Sequence, residues 1–259
     1  MKIVEHTAPQ PTPRQHLRQR LRVPFHHADP TGSAGIVALA GYLQQAAGAH
    51  AEQLGVGAER LAREGMFWVL TRLFLRIERA PRGGETIEID TWPSQRPRHL
   101  YLRDFRVHGE DGAPIIAGAS SWALIDAVRR KAVKGPSWIA DQITFDDARA
   151  AIFPDKAPMR LEREERAVDV TPRWSDIDVN GHVNNANLVG WLLEVFGSDW
   201  LAAHALSALD VAFRSECRRD DAVRSSVIRI VSDNFAHAVR RGDGAECVRA
   251  QSWWRTPVR

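Results

Sequence analysis

Apolar and polar residues along this chain follow two periods, one near 3.6 and one of two, and the same succession occurs twice. Leu21, Val23 and Phe25 alternate with their neighbours as in a half-buried strand, and Val168 and Val170 do so much later. Ile36, Leu39, Leu43, Ala47, His50 and Leu54 then recur at helical spacing, which predicts a long amphipathic helix. Leu188, Trp191, Leu192 and Val195 predict its counterpart. Strand-like segments follow each helix at residues 71–77 and 210–214, with further period-two runs at 86–91 and 227–231. Asp111-Gly112 and Asp243-Gly244 read as hairpin turns, because glycine admits the positive φ that such turns need.

The repetition extends to residue identity. Asp29 and Asp178 lie at the same offset, 149 residues, as Gly41-Tyr42-Leu43 and Gly190-Trp191-Leu192. Asp111-Gly112-Ala113 with Ser120 and Trp122 matches Asp243-Gly244-Ala245 with Ser252 and Trp254 at an offset of 132, so the second copy is shorter by loop loss. Because both copies retain them, Trp122 and Trp254 read as core residues. Each copy is a strand, one long helix and several strands, an α+β arrangement of a helix laid on an antiparallel sheet. The expected organisation is an N-terminal arm at 1–20, a first copy at 21–135, a linker at 136–166 and a second copy at 167–259. The prolines and the charge run at 160–166 make the linker a solvated connector.

A chain of 259 residues has room for two such units. Every apolar stretch is interrupted by residues such as Gln44, Gln45, Arg72 and Arg76, which excludes a helical membrane span. Basic residues number 35 against 32 acidic, and the excess is arginine without dense runs or interleaved aromatics, so nucleic acid is not an expected partner. Cys217 and Cys247 cannot form a disulfide framework, and no Cys/His spacing suggests a metal site; no cofactor is expected. The first twenty residues lack an apolar segment of signal-peptide length, so the expected compartment is the cytoplasm.

Chemistry concentrates in Arg173-Trp174-Ser175-Asp176-Ile177-Asp178-Val179-Asn180-Gly181-His182-Val183-Asn184-Asn185, between the strand and helix of the second copy. Asp176-x-Asp178-x-Asn180-Gly181 resembles the start of a calcium loop, but its twelfth position is Asn187 and no helix precedes it. Backbone N–H groups here lie near a helix start, which favours developing negative charge. The duplication is an internal control: Asp178 corresponds to Asp29, whereas Asn180 and His182 correspond to Thr31 and Ser33. Farther on, Glu216 has Ala80 as its approximate counterpart. Functional groups confined to one copy predict a single site, with His182 and Glu216 as acid/base partners. Cys217, flanked by Arg218 and Arg219, leaves a second route open as a nucleophile activated by His182; its plainer reading is a small core residue.

These residues resemble the acyl-acyl carrier protein thioesterases, tandem hotdog proteins of bacteria and plastids. The likeness covers nearly the whole chain. It rests on residues 171–185, Gly190-Trp191-Leu192-Leu193-Glu194, Glu216-Cys217-x-Arg219-Asp220 and Gly244-Ala245-Glu246-x-Val248-Arg249 with Trp254-Arg255. In the first copy Tyr42-Leu43-Gln44, Trp68-Val69-Leu70-Thr71-Arg72 and Gly84-Glu85-Thr86 with Asp90-Thr91-Trp92 match. Leu188, where the family commonly has tyrosine, and Val23-Pro24-Phe25-His26 depart from it, and no serine-rich plastid segment is present, which fits a bacterial type. The resemblance implies a double hotdog that hydrolyses fatty acyl-carrier thioesters, with Asp178, Asn180, His182 and Glu216 at the catalytic positions. It also implies that the acyl chain lies in the first copy, against Met66, Phe67, Trp68 and Val69, residues that plain core packing would equally explain. An acidic carrier protein would meet Arg14, Arg18, Arg20, Arg22, Arg218 and Arg219; homodimerisation is left open. A coenzyme A thioesterase, a hotdog dehydratase and a non-catalytic acyl-binding module remain alternatives on one scaffold.

Overall fold

The computed structural model describes residues 15–256. The first repeat comprises strand β1 (Leu17–Arg22), helices α1 (Ile36–Gln53) and α2 (Ala58–Arg63), and strands β2 (Met66–Ile77), β3 (Thr86–Gln95), β4 (Leu100–His108), β5 (Pro114–Asp126) and β6 (Lys131–Ala132). Helix α3 (Ser137–Gln142) lies in the connector. The second repeat holds β7 (Arg166–Val170), helices α4 (Asn185–Trp191) and α5 (Ser198–Ala203), and strands β8 (Ala205–Phe213), β9 (Val223–Val231), β10 (Asn234–Arg241) and β11 (Glu246–Arg255). Strand β1 therefore takes in Leu17 to Arg20, inside the span expected to be an arm.

All the strands join one antiparallel sheet in the order β1-β3-β4-β5-β2-β8-β11-β10-β9-β7, with β6 attached to β5. The order reads the same from either end, repeat by repeat, so β2 and β8 are equivalent strands that meet at the centre. There Arg72 pairs with Ala212 and Arg76 with Ala208 in register. This is the α+β double hotdog: a sheet wrapped around helices that bury their apolar stripes in its concave face.

Helices α1 and α4 share one core cluster, which holds Leu39 and Leu43 of the first together with Val189 of the second and Leu192 just after it. Each such side chain contributes roughly 1.5–3 kcal/mol on burial. Close approach depends on Gly190, where a Cβ would lie 2.5 Å from Val37 Cγ2. The expected long helix is present only in the first repeat, where α1 runs for 18 residues. Helix α4 ends after 7. Leu193 N–H bonds back to Gly190 O and Phe196 N–H to Leu193 O, and the tightened chain turns Phe196 onto Phe235 and Trp254, with Trp200 stacked beside it. An aromatic cluster thus packs just beyond the end of α4.

The duplication holds at atomic detail. Trp122 Nε1–H donates to Ser120 Oγ at 2.8 Å, and Trp254 Nε1–H donates to Ser252 Oγ at 2.8 Å. The two Asp-Gly hairpins carry glycine at φ +78° and +84°, each with the aspartate accepting the N–H two residues on.

The connector is more than a solvated link. Ile139, Ala151 and Leu161 are buried along it, and Asp104, fully buried, receives Ala150 N–H, Ala151 N–H and the Arg149 guanidinium. Arg72 makes a bidentate pair with Asp210 at 2.9 and 2.6 Å and also donates to Pro154 O and Lys156 O, tying both repeats and the connector together. In the charge run, Glu164 accepts from Arg224 and Ser226, and Glu165 from Arg229 N–H. The charged residues of the run are exposed, as its alternating sign suggested, with these two glutamates paired to β9.

Candidate active site

The polar cluster of the second repeat is a tight loop between β7 and α4. Ile177 bridges to Val183, Asp178 N–H bonds to His182 O at 2.8 Å, and Gly181 takes φ +76° to close the turn. The Asp178 carboxylate faces inward to its own loop, accepting Asn180 N–H at 2.8 Å and His182 N–H at 3.4 Å. The first repeat builds the same loop: Ala28 bridges to Ala34, and Asp29 accepts Thr31 N–H at 2.8 Å and Ser33 N–H at 3.4 Å. Asp178 is therefore the residue that shapes the loop.

What differs is what the loops carry. His182 Nε2 lies 3.1 Å from Glu216 Oε2, the two side chains being 20% and 39% exposed. Glu216 sits in the segment between β8 and β9, brought to the loop by the bond from Val183 N–H to Cys217 O at 2.8 Å. The matching bond in the first repeat runs from Ala34 N–H to Pro81 O, which places Ala80 where Glu216 stands. The approximate sequence equivalence thus has a hydrogen-bonded basis.

Asn180 is exposed at the loop tip, its amide 3.5 Å from Asp178 Oδ2, and no bond joins it to His182 or Glu216. The expected backbone donors at the helix start are largely engaged: Val183 N–H by Cys217 O, Asn184 N–H by Asp176 O, and Ala186 N–H by Asn184 Oδ1. Cys217 is buried against Cys247. The hydrogen bond between the two thiols and their burial push the Cys217 thiol up, away from the thiolate. Arg218 and Arg219 are exposed, and Arg219 lies over the Trp174 ring at 5.5 Å from its centroid. Arg18, Arg20 and Arg22 are exposed on β1, at the far end of the sheet, and Arg14 lies outside the described residues.

The candidate acyl-contact residues separate by strand alternation. Met66 and Trp68 pack on a satellite core with Leu61, Tyr101, Leu124 and Ile139, and Trp68 Nε1–H bonds to Val56 O at 2.9 Å. Phe67 and Val69, on the opposite face of β2, are half-buried. Over the Phe67 ring, 5.4 Å from its centroid, lies the guanidinium of Arg130, which also forms an ion pair with Glu216 Oε1. Arg130, in the turn between β5 and β6, has no sequence signal of its own; only the pairing of β5 with β2 and of β2 with β8 brings it to the site. Among the described residues no group of three or more His, Cys, Asp or Glu could hold a metal ion, and no helix is long and apolar enough to cross a membrane.

Comparison with known proteins bears on this geometry. The model of the acyl-ACP thioesterase N-terminal domain matches residues 14–143, and that of the C-terminal domain matches residues 159–256. The chain belongs to the acyl-ACP thioesterase family. A curated relative, the chloroplastic palmitoyl-acyl carrier protein thioesterase of Gossypium hirsutum, is 30% identical over 88% of this chain and 60% of its own length. Like it, the other leading plant relatives are longer, so that this thioesterase-family chain spans 62% of the next. Among solved structures, an acyl-ACP thioesterase from Bacteroides thetaiotaomicron superposes with a TM-score of 0.84 at 25% identity, covering 93% of this chain and 98% of that one. The 12:0-ACP thioesterase from Umbellularia californica gives a TM-score of 0.84 at 26% identity over the same shares.

Proposed function

We propose that this chain hydrolyses the thioester of fatty acyl-acyl carrier protein, releasing free fatty acid and ending chain elongation. The observation that carries the reading is the contact between His182 Nε2 and Glu216 Oε2 at 3.1 Å, in a repeat whose twin has serine and alanine at those places. Family membership supports the substrate class.

In the proposed reaction Glu216 is the base. Its carboxylate, oriented by His182, takes a proton from a water as the oxygen attacks the thioester carbonyl carbon, general-base catalysis within hydrogen-bond reach. A C–O bond forms, the C–S bond breaks, and the proton on Glu216 returns to the departing thiolate, a weakly basic leaving group. Asn180, exposed at the loop tip with its amide 3.5 Å from Asp178 Oδ2, donates that amide to the thioester oxygen. Such a donor is worth about 3–4 kcal/mol in the transition state. Asp178 holds the loop on which Asn180 and His182 stand. The inert, buried thiol of Cys217 argues against its acting as nucleophile.

The acyl chain is assigned to the first repeat. Support comes from the second repeat's interior, closed by Phe196, Trp200, Phe235 and Trp254. Each buried CH2 contributes roughly 0.8 kcal/mol, so the depth of a first-repeat pocket sets chain preference. Exposure close to Glu216 in the chain supports Arg218 and Arg219 as the arginines that receive an acidic carrier protein. Turnover of carrier-linked and coenzyme A-linked chains by the parent, Glu216→Gln and His182→Ala tests the proposal. Both variants should lose activity, and the parent should prefer the carrier. Parent-like hydrolysis in either variant overturns the mechanism, and a preference for coenzyme A overturns the substrate.

A further inference from the structure

The pair between Arg130 and Glu216 joins side chains 86 residues apart in sequence and in different repeats. We propose that Arg130 is a positioning residue for hydrolysis: its guanidinium holds the Glu216 carboxylate in the plane that presents it to His182 and to water. The site of the second repeat is thereby completed by the first. This rests on Glu216 as the base, proposed above.

Glu216 lies on irregular chain between β8 and β9, anchored through its backbone by Arg241, which donates to Glu216 O at 2.9 Å. That bond leaves the side chain free to rotate. One contact with His182 fixes a single oxygen; the Arg130 Nη2–H donated to the other, Oε1, fixes the carboxylate plane, and ion-pair hydrogen bonds of this kind are the stronger ones. Arg130 is itself held, its guanidinium lying over Phe67.

Its backbone shows that turn geometry is not what the arginine is there for. Arg130 takes φ +53°, the left-handed region in which any side chain is disfavoured and glycine is not. The turn is closed without the side chain, by Asp126 accepting the N–H groups of Val128 and Arg129 at 3.0 and 2.7 Å. In the first repeat's loop, where Ala80 replaces the acid, the nearby Arg82 instead donates to Thr31 O, a backbone carbonyl.

Steady-state kinetics of R130G, R130K, E216Q and R130G/E216Q on one carrier-linked substrate test the inference. R130G relieves the left-handed strain, so its melting temperature should equal or exceed the parent's. Its kcat should fall roughly 10- to 100-fold, the cost of a misplaced catalytic group, with KM near the parent's. R130K should recover part of the loss, as should guanidinium added to R130G below denaturing concentrations, and R130G should cost little in the E216Q background. Parent-like kcat in R130G, with E216Q inactive, overturns the role of Arg130 and leaves Glu216 as base. Parent-like kcat in E216Q overturns the base assignment itself. A raised KM with kcat intact in R130G also overturns positioning, and makes Arg130 a substrate contact. If R130G fails to fold, R130Q, which keeps side-chain bulk without the charge, is read against the same outcomes.

Discussion

Asp29 and Asp178 close the same turn in the two repeats, each carboxylate accepting the N–H two residues on at 2.8 Å. Their shared geometry separates structure from chemistry. Asp29→Ala and Asp178→Ala should each lower stability by about 1 kcal/mol, the worth of a local hydrogen bond, read from urea midpoints. Only Asp178→Ala should also lower kcat, because only its loop carries Asn180 and His182. Equal kinetic losses in both would place the chemistry in both repeats.

Cys217 should be kinetically silent. Cys217→Ala is expected to keep kcat within severalfold of the parent, since the thiol is buried against Cys247 and pushed away from the thiolate. Iodoacetamide should label Cys217 in folded protein only as fast as the chain opens. Rapid labelling together with loss of turnover would restore the nucleophile route.

Neighbours on β2 should fail differently. Trp68 packs on the satellite core and bonds to Val56 O, so Trp68→Ala should cost about 2–3 kcal/mol, below the range for a fully buried tryptophan. Phe67→Ala, which removes the surface under Arg130, should lower kcat with little loss of stability. Thermal melts beside kinetics decide between these two outcomes.

His237 predicts an acid limb of stability. Burial pushes its imidazole down to about 3, and it bonds through Nε2 to Ser252 Oγ at 2.7 Å. A base whose folded value lies below its unfolded one stabilises the fold above the unfolded value, and that contribution is lost as pH falls. Unfolding free energy should therefore decline from about pH 6.5 toward pH 3. In His237→Gln the part of this slope due to His237 should vanish; an unchanged slope would assign it elsewhere.

Much of the architecture was legible because it is local. Alternation marks strands, helical spacing marks α1, glycine marks the two Asp-Gly hairpins, and the duplication exposes His182 and Glu216 against Ser33 and Ala80 without reference to any other protein. Helix length in the second repeat was not legible: the apolar spacing of Leu188, Trp191, Leu192 and Val195 continues past the end of α4, and only the packing of Phe196 against Phe235 and Trp254 turns the chain there. The connector misled for a similar reason. The charges of its run are exposed as expected, but Ile139, Ala151 and Leu161 along the connector are buried against residues of distant strands.

By itself, then, the sequence determined the doubled α+β scaffold, the loop closed by Asp178 and the repeat in which polar groups gather, because each depends on residues a few positions apart. Tertiary structure alone decided that Arg130 reaches Glu216, that Cys217 faces Cys247 rather than the site, and that the Met66 and Trp68 face of β2 is the one packed on the satellite core. These depend on how one continuous sheet brings distant strands into register, which no short-range pattern encodes.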